Sequence, residues 1–344
     1  MDYFYVACEE LRRPEIKGKA VIVGADPKNG RGRGVVMTCS YAARRYGIKS
    51  AMPISVAYRI KPDATYLPMD YAYYEKISLK VMNLIREFSG AFEQVSIDEA
   101  YVELAGGAAS LEEAERLAYK IKGSIKEEIG LDCSIGVSFN KLMAKMASDA
   151  AKPNGIKIVK ESEAQAFLEN MPLDKLYSIG SKTRDKLESM GFHSVGELAK
   201  ANKMEIMAEF GSAGLELHNY ANGIDESKLL GAYDPKSIGR EMTFEDDTSD
   251  IKAVSDSLKR LSNEVAAEAG RAGFAFKNVT VKLRYSDFSE RLHSRAIKPS
   301  EEPLELYGTA EKLYLDNVEK GRKLRKIGVR VSGLMKYAGQ RRLG

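Results

Sequence analysis

Residues 93–104 read EQVSIDEAYVEL, and the position of the paired acids Asp98 and Glu99 within that run decides the fold. Val95 and Ile97 alternate before the pair, and Ala100, Val102 and Leu104 alternate after it, which is the period of a half-buried strand. The spacing predicts two apolar strands with the acidic pair at or near the hairpin turn between them. Neighbours in a straight strand point to opposite faces, whereas at a turn both carboxylates can reach one side, and adjacent hard oxygen donors suit Mg²⁺. A solvated Asp-Glu turn would read the same way. A second strand-to-helix unit follows in DCSIGVSFNKLMAKMASDAAKPNG (132–155): an alternating strand, Asn140-Lys141, then an Ala-rich helix closed by Lys152-Pro153-Asn154-Gly155.

Upstream, the chain opens with MDYFYVACEE, and residues 2–6 have the aromatic and β-branched composition of a strand or its last residues. The whole chain of 344 residues is 44% hydrophobic and 30% charged, enough for several cores and without the bias of a disordered protein. No run has the apolar length of a membrane span, and no basic segment precedes an apolar stretch at the N-terminus, so a cytoplasmic protein is expected. Cys8, Cys39 and Cys133 are far apart and have no nearby His, which argues against a zinc site or a disulfide framework and for reduced packing residues.

Charge is uneven. Residues 236–344 hold 22 Lys and Arg against 16 Asp and Glu, a balance of +6, which leaves −2 for residues 1–235 of a chain at +4. A polyanionic partner contacted by the C-terminal third fits this asymmetry, as does a solvated basic surface. In that third, SIGREMTF reads as a strand. Ile251, Val254, Leu258, Leu261 and Val265 have helical spacing, Val279 to Tyr285 and ERLHSRAI alternate, Leu304 to Val318 is helical, and Ile327, Val329 and Val331 alternate. The order β-α-β-β-α-β predicts a split βαβ sheet with both helices on one face. Alternation then sends Lys282, Arg284, Arg291, His293, Arg295, Lys326 and Arg330 to the other face, a surface suited to a phosphate backbone.

In the middle, LYSIGSKTRDKLESMGFHSVGELAKAN places Ser178-Ile179-Gly180 between helical segments, with Gly191 closing the second. This resembles a helix–hairpin–helix. Gly180 would let the backbone approach a phosphate closely, and the free N–H groups of the next helix would bind it. An Ile-Gly turn also serves as a tight structural connection.

SIDEAY followed by SIGVSFNKLMAKMASDAAKPNG, together with TCSYAARRYGIKSAMP (38–53) and the opening DYFY, resembles the Y-family translesion DNA polymerases, in the DinB or polymerase IV branch, over nearly the whole chain. The resemblance implies an α+β multidomain right hand. Its parts would be a ferredoxin-like palm (1–3 and 70–159), fingers (4–69), a helix–hairpin–helix thumb (160–226), a linker (227–236), a split βαβ little finger (237–335) and a tail (336–344). It implies lesion-bypass addition of dNTPs to a primer by phosphoryl transfer on two Mg²⁺ ions, with Asp98 and Glu99 catalytic and the metal set at Asp98, Glu99 and the position of Met1. Phe4, Tyr5, Thr38, Tyr41, Arg44 and Lys152 would bind the nucleotide, with Tyr5 as the sugar gate, and Met52-Pro53 with small Ala42, Ala43, Ser50 and Ala51 would roof the base pair. DNA would be held by Ser178, Gly180, Lys182, Lys236, Arg240, Lys282, Arg284, Arg291, Arg295 and Arg330.

In this family the first strand ends in Asp, an apolar residue, then Asp. Met1 and Asp2 match the second and third of these, so a late-assigned start is expected, with the third carboxylate and most of a central palm strand ahead of Met1. Gln340 and Leu343 have the spacing that begins a sliding-clamp peptide, and a monomer is expected. Two other classes remain: a palm-like nucleotidyl cyclase, which needs neither thumb nor basic sheet, and a catalytically impaired DNA-binding relative.

Overall fold

The computed structural model describes residues 1–103, 110–231 and 234–336; Leu104, Gln340 and Leu343 lie outside them. The chain divides into two compact units, Met1–Ala232 and Tyr233–Gly344.

In the first unit the N-terminal residues are not a strand. They form helix α1 (Phe4–Arg12), entered through Tyr3 in the left-handed region at φ 36°. A short aromatic run is compatible with either element. Helical spacing buries Phe4, Ala7 and Cys8, and fully buried Glu9 is held by Arg12, Arg13 and the Tyr74 hydroxyl. A three-stranded sheet follows from β1 (Val21–Gly24) and β2 (Val36–Cys39), with α2 (Tyr41–Arg44), α3 (Ile54–Ile60) and β3 (Thr65–Leu67), in the order β2-β1-β3. Ser40 caps α2 at Ala43 N while its hydroxyl accepts from Val21 N, fixing the short helix to β1.

Helix α4 (Tyr71–Arg86), capped by Asp70, leads into the antiparallel hairpin of β4 (Ala91–Gln94) and β5 (Ala100–Glu103). Gln94 faces Ala100, so Val95 and Ile97 belong to the turn rather than to a strand, and Asp98 and Glu99 sit in that turn. Helix α5 (Leu111–Ile129), opened by a Ser110–Glu113 capping box, runs to β6 (Ile135–Val137). Then come α6 (Lys141–Ala150), capped by Asn140, and β7 (Ile156–Ile158), parallel to β6. One core joins Phe4, Val6, Val21 and Val23 to Tyr74, Ile77, Val81, Ile121, Ile125 and Leu131, so α1 and β1 pack with α4 and α5. The small helices α7 (Ala164–Glu169), α8 (Ser181–Ser189), α9 (Val195–Lys200), α10 (Lys203–Phe210) and α11 (Ser212–Ala221) close over Leu168, Leu187, Val195, Leu198 and Ile206.

The second unit has the expected element order: β8 (Ser237–Thr248), α12 (Ile251–Arg271), β9 (Phe274–Tyr285), β10 (Glu290–Ser300), α13 (Pro303–Asn317) and β11 (Leu324–Ser332), with β12 (Met335–Lys336) beside β9. The sheet order is β10-β9-β11-β8. Val279, Val281, Leu283 and Tyr285 are fully buried against Val254, Leu258 and Leu306, and burying each such side chain stabilises by about 1.5–3 kcal/mol.

The register corrects the expected basic face. Arg291, His293 and Arg295 pair directly with Leu283, Val281 and Val279, and partners in register point to the same face. They therefore share the helix side, where Arg291 meets Glu319 at 3.1 Å and Arg295 meets Asp316 at 3.7 Å. Arg240 likewise pairs with Val329 and bonds Glu268 of α12. Lys282, Arg284, Lys326 and Arg330 do share the open face, together with Glu241 and Glu290. All three cysteines are buried and free, and no helix among the described residues is long and apolar enough to cross a membrane.

Candidate active site

A cleft of about 260 Å³ opens between α1, the β2–α2 corner, the acidic turn and the end of α6. Its lining includes Met1, Phe4, Tyr5, Thr38, Tyr41, Arg44, Asp98 and Lys152, so eight sequence-predicted site residues from four separate segments meet there. Glu99 is not on the lining. The turn separates the two acids: Asp98 takes Ser96 Oγ at 2.8 Å, while Glu99 is ion-paired with Lys145 of α6. The expectation that both carboxylates reach one side therefore meets a competing cation, from a helix 46 residues away.

The walls are ordered by aromatic contacts. Tyr5 stacks on Tyr74 with ring centres 4.7 Å apart, and Tyr3 meets Tyr41 edge to face at 5.4 Å. The Arg44 guanidinium lies over the Tyr41 ring at 4.7 Å. Burial, with smaller contributions from Tyr71 and Asp98, pushes the Tyr5 hydroxyl above its ordinary pKa. Lys152 rests on Asp149 at 2.6 Å; burial opposes its charge, but Asp149, Asp2 and Glu99 override that and raise its pKa. Of the expected roof, Ser50 reaches the cleft, whereas Ala43 and Met52 pack in the core beneath the small sheet.

Residues the sequence reading did not place in the site are Asp2, Tyr3, Met37 and Ile97. Met37 was discoverable as the outward neighbour of buried Val36 in a strand. Asp2 carried no local signal for its actual partners.

Among the described residues no three His, Cys, Asp or Glu side chains converge on one point. Met1 offers no side-chain oxygen, and its ammonium donates to the Asp98 carbonyl at 2.7 Å. One or two carboxylates plus substrate phosphates are the usual protein share of an Mg²⁺ site, so Asp98 and Glu99 fit an ion carried in by a triphosphate. They fall short of a full set for two.

At the helical hairpin, the left-handed residue is Ser178 at φ 72°, not Gly180, which is in extended backbone as the cap of α8. A side chain at Gly180 would meet nothing among the described residues, leaving that face open to a ligand, and Lys182 stands exposed just beyond it. Lys236 is exposed ahead of β8.

The model of the impB/mucB/samB family matches residues 1–149, its C-terminal domain residues 235–344, and its helix–hairpin–helix motif residues 161–192. A DNA polymerase IV of Methanoculleus marisnigri is 42% identical over 335 residues, 97% of this chain and 92% of that protein. Among solved structures, a Y-family DNA polymerase chimera, Dbh-Dpo4(243-245)-Dbh, is 30% identical with a TM-score of 0.88 over 98% of both chains. An insertion ternary complex of Dbh DNA polymerase is 29% identical with a TM-score of 0.66 over 98% of both chains. With the family models covering most of its length, the chain belongs to the impB/mucB/samB family, the Y-family DNA polymerases of the DinB and polymerase IV branch.

Proposed function

We propose that this protein extends a DNA primer on a DNA template by lesion-tolerant insertion of dNTPs, with palm, fingers, thumb and little finger divided as the sequence reading has them. The observation that carries this reading is the single cleft where an aromatic wall, two cations and Asp98 meet. Tyr5, braced by Tyr74, would lie beneath the incoming sugar and clash with a 2′-hydroxyl. Arg44, oriented by the Tyr41 ring, offers a planar fork to the triphosphate, and Lys152 offers a point charge once it leaves Asp149. Asp98, with Glu99 released from Lys145, would hold Mg²⁺, which when bound neutralises developing phosphate charge. A second ion needs oxygen ligands beyond these two carboxylates. Ser178, Gly180 and Lys182 at the hairpin, and the open face of the β8–β11 sheet, would follow the phosphates of the duplex, without base readout.

The impaired-relative reading draws support from the engagement of Glu99 by Lys145 and the lack of a third converging carboxylate among the described residues. One assay separates the readings: single-nucleotide incorporation on a primer–template, run beside DNA binding, for the parent chain and Asp98→Ala. Templated incorporation lost only in Asp98→Ala supports the polymerase. Tight DNA binding by both without incorporation supports the impaired relative, and incorporation without a template would overturn both.

A further inference from the structure

Asp2 is 4% exposed and bonds to two distant parts of the chain. Its Oδ2 accepts from Ser134 Oγ, at the start of β6, and from the backbone N–H of Asn154, both at 3.0 Å. Its Oδ1 is buried and has no hydrogen-bond donor among the described residues. Asn154 lies two residues after Lys152, in the turn between α6 and β7, and its φ of 53° is left-handed. That backbone needs fastening, and it is fastened twice: its N–H by Asp2, and its side-chain oxygen by the Lys122 ammonium, which also donates to the Cys133 carbonyl at 2.7 Å. Ser148 Oγ ties the end of α6 to Ser134 O at 3.1 Å. The Lys152 turn is thus bolted to β6 and to the first residues of the chain, the same residues that carry Tyr3 and Tyr5 to the cleft wall.

Resting on the polymerase reading, we infer that Asp2 is a positioning residue for triphosphate capture: by holding the Asn154 N–H it aims Lys152 into the cleft. It acts through another residue, because both contacts of Oδ2 go to Ser134 and the Asn154 N–H, and it joins no cluster of three metal-ligating side chains among the described residues. A buried carboxylate left half satisfied is costly. The carboxylate also acts through space on Lys152, where it favours the charged ammonium.

The test measures binding of a correct dNTP to the protein on a dideoxy-terminated primer–template, so that no chemistry occurs, beside a thermal melt. Asp2→Ala, Asp2→Asn, Lys152→Ala and Asp2→Ala/Lys152→Ala are compared. Loss of a hydrogen bond to a charged acceptor should weaken triphosphate binding about tenfold in Asp2→Ala. Asp2→Asn, which keeps an acceptor for Asn154, should stay within about threefold. In the Lys152→Ala background, removing Asp2 should cost nothing more, because the two act through one ammonium. Multiplying losses in the double variant, or an unchanged Asp2→Ala beside a parent that binds, would overturn the inference alone. Should Asp2→Ala fail to fold, Asp2→Asn still decides, since a loss there as large as that of Lys152→Ala refutes positioning through Asn154. A parent that binds no dNTP overturns the polymerase reading and this inference with it.

Discussion

The strand register of the C-terminal unit makes a quantitative claim about DNA. Lys326 and Arg330 lie on the open face beside Arg284 and Thr280, whereas Arg291 and Arg295 lie on the helix side against Glu319 and Asp316. If the open face follows a duplex backbone, each cation that neutralises a phosphate contributes about 0.9 to the slope of log affinity against log salt. Replacing Lys326 and Arg330 together by Ala should lower that slope by roughly 1.8, so the loss of affinity between 50 and 200 mM salt should shrink about 12-fold relative to the parent. Arg291→Ala/Arg295→Ala should change the slope by less than about 0.5. On that reading Glu241 would work against binding, since it sits 2.9 Å from Lys326 and 3.0 Å from Lys282. Burial opposes the Glu241 charge, but the two ammoniums override it and hold its pKa below the ordinary value, so the acid is ionised at neutral pH. Glu241→Gln should therefore tighten DNA binding and steepen the slope. Fluorescence anisotropy of a labelled primer–template over that salt range measures all four proteins. Equal losses of slope in the two double variants would refute the assignment of faces, and with it the use of the open face for DNA.

Asp98→Asn should reduce nucleotide incorporation by about 100-fold or more while DNA affinity stays within about twofold, read from primer extension and anisotropy on the same protein, because the proposed metal ligands and the proposed duplex contacts are separate residues. Tyr5→Ala should raise ribonucleotide insertion and cost about 1 kcal/mol in urea unfolding from the lost Tyr74 stack; loss of dNTP insertion with no gain in rNTP insertion would make Tyr5 a packing residue. Glu93→Ala should destabilise the first unit by about 3 kcal/mol in urea unfolding, since buried Glu93 accepts from Lys141 at 2.7 Å and from Leu230 N at 2.8 Å and its loss strands both. Gly136→Ala should cost about 1–3 kcal/mol or more in thermal unfolding, because the new methyl group would fall on backbone atoms of Ala144 and Ser148 in α6.

The parts of this molecule that could be read from sequence are those whose signal repeats along one element. In β9, Val279, Val281, Leu283 and Tyr285 leave no doubt about the buried face, and α12 repeats its buried stripe from Val254 to Ala269, about four turns. The acidic turn was legible because apolar residues alternate on both sides of the pair, although Val95 and Ile97 lie in the turn itself. Strand β10 shows where that kind of evidence ends. In ERLHSRAI five of the eight positions are polar, and Leu292, which the expected alternation sets opposite the arginines, is 56% exposed on the open side. An edge strand takes its parity from the turn, here closed by Tyr285 N donating to Ser289 O, and not from its own polarity. The N-terminal run had the same ambiguity, and its helix is secured by Glu9 meeting Tyr74 across 65 residues. Glu99 and Lys145 are 46 residues apart; Asp2 and its donors are 132 and 152 apart. A side chain whose role is assigned by a partner at that separation leaves no periodic trace, whether or not its neighbours in sequence form a recognisable motif. Asp2 is the sharpest case: the motif around it marks a catalytic segment, yet its contacts give it to the Lys152 turn. The residues most open to misassignment in this site are therefore those beside the motif carboxylates, because the motif lends them a chemistry that only distant partners can grant.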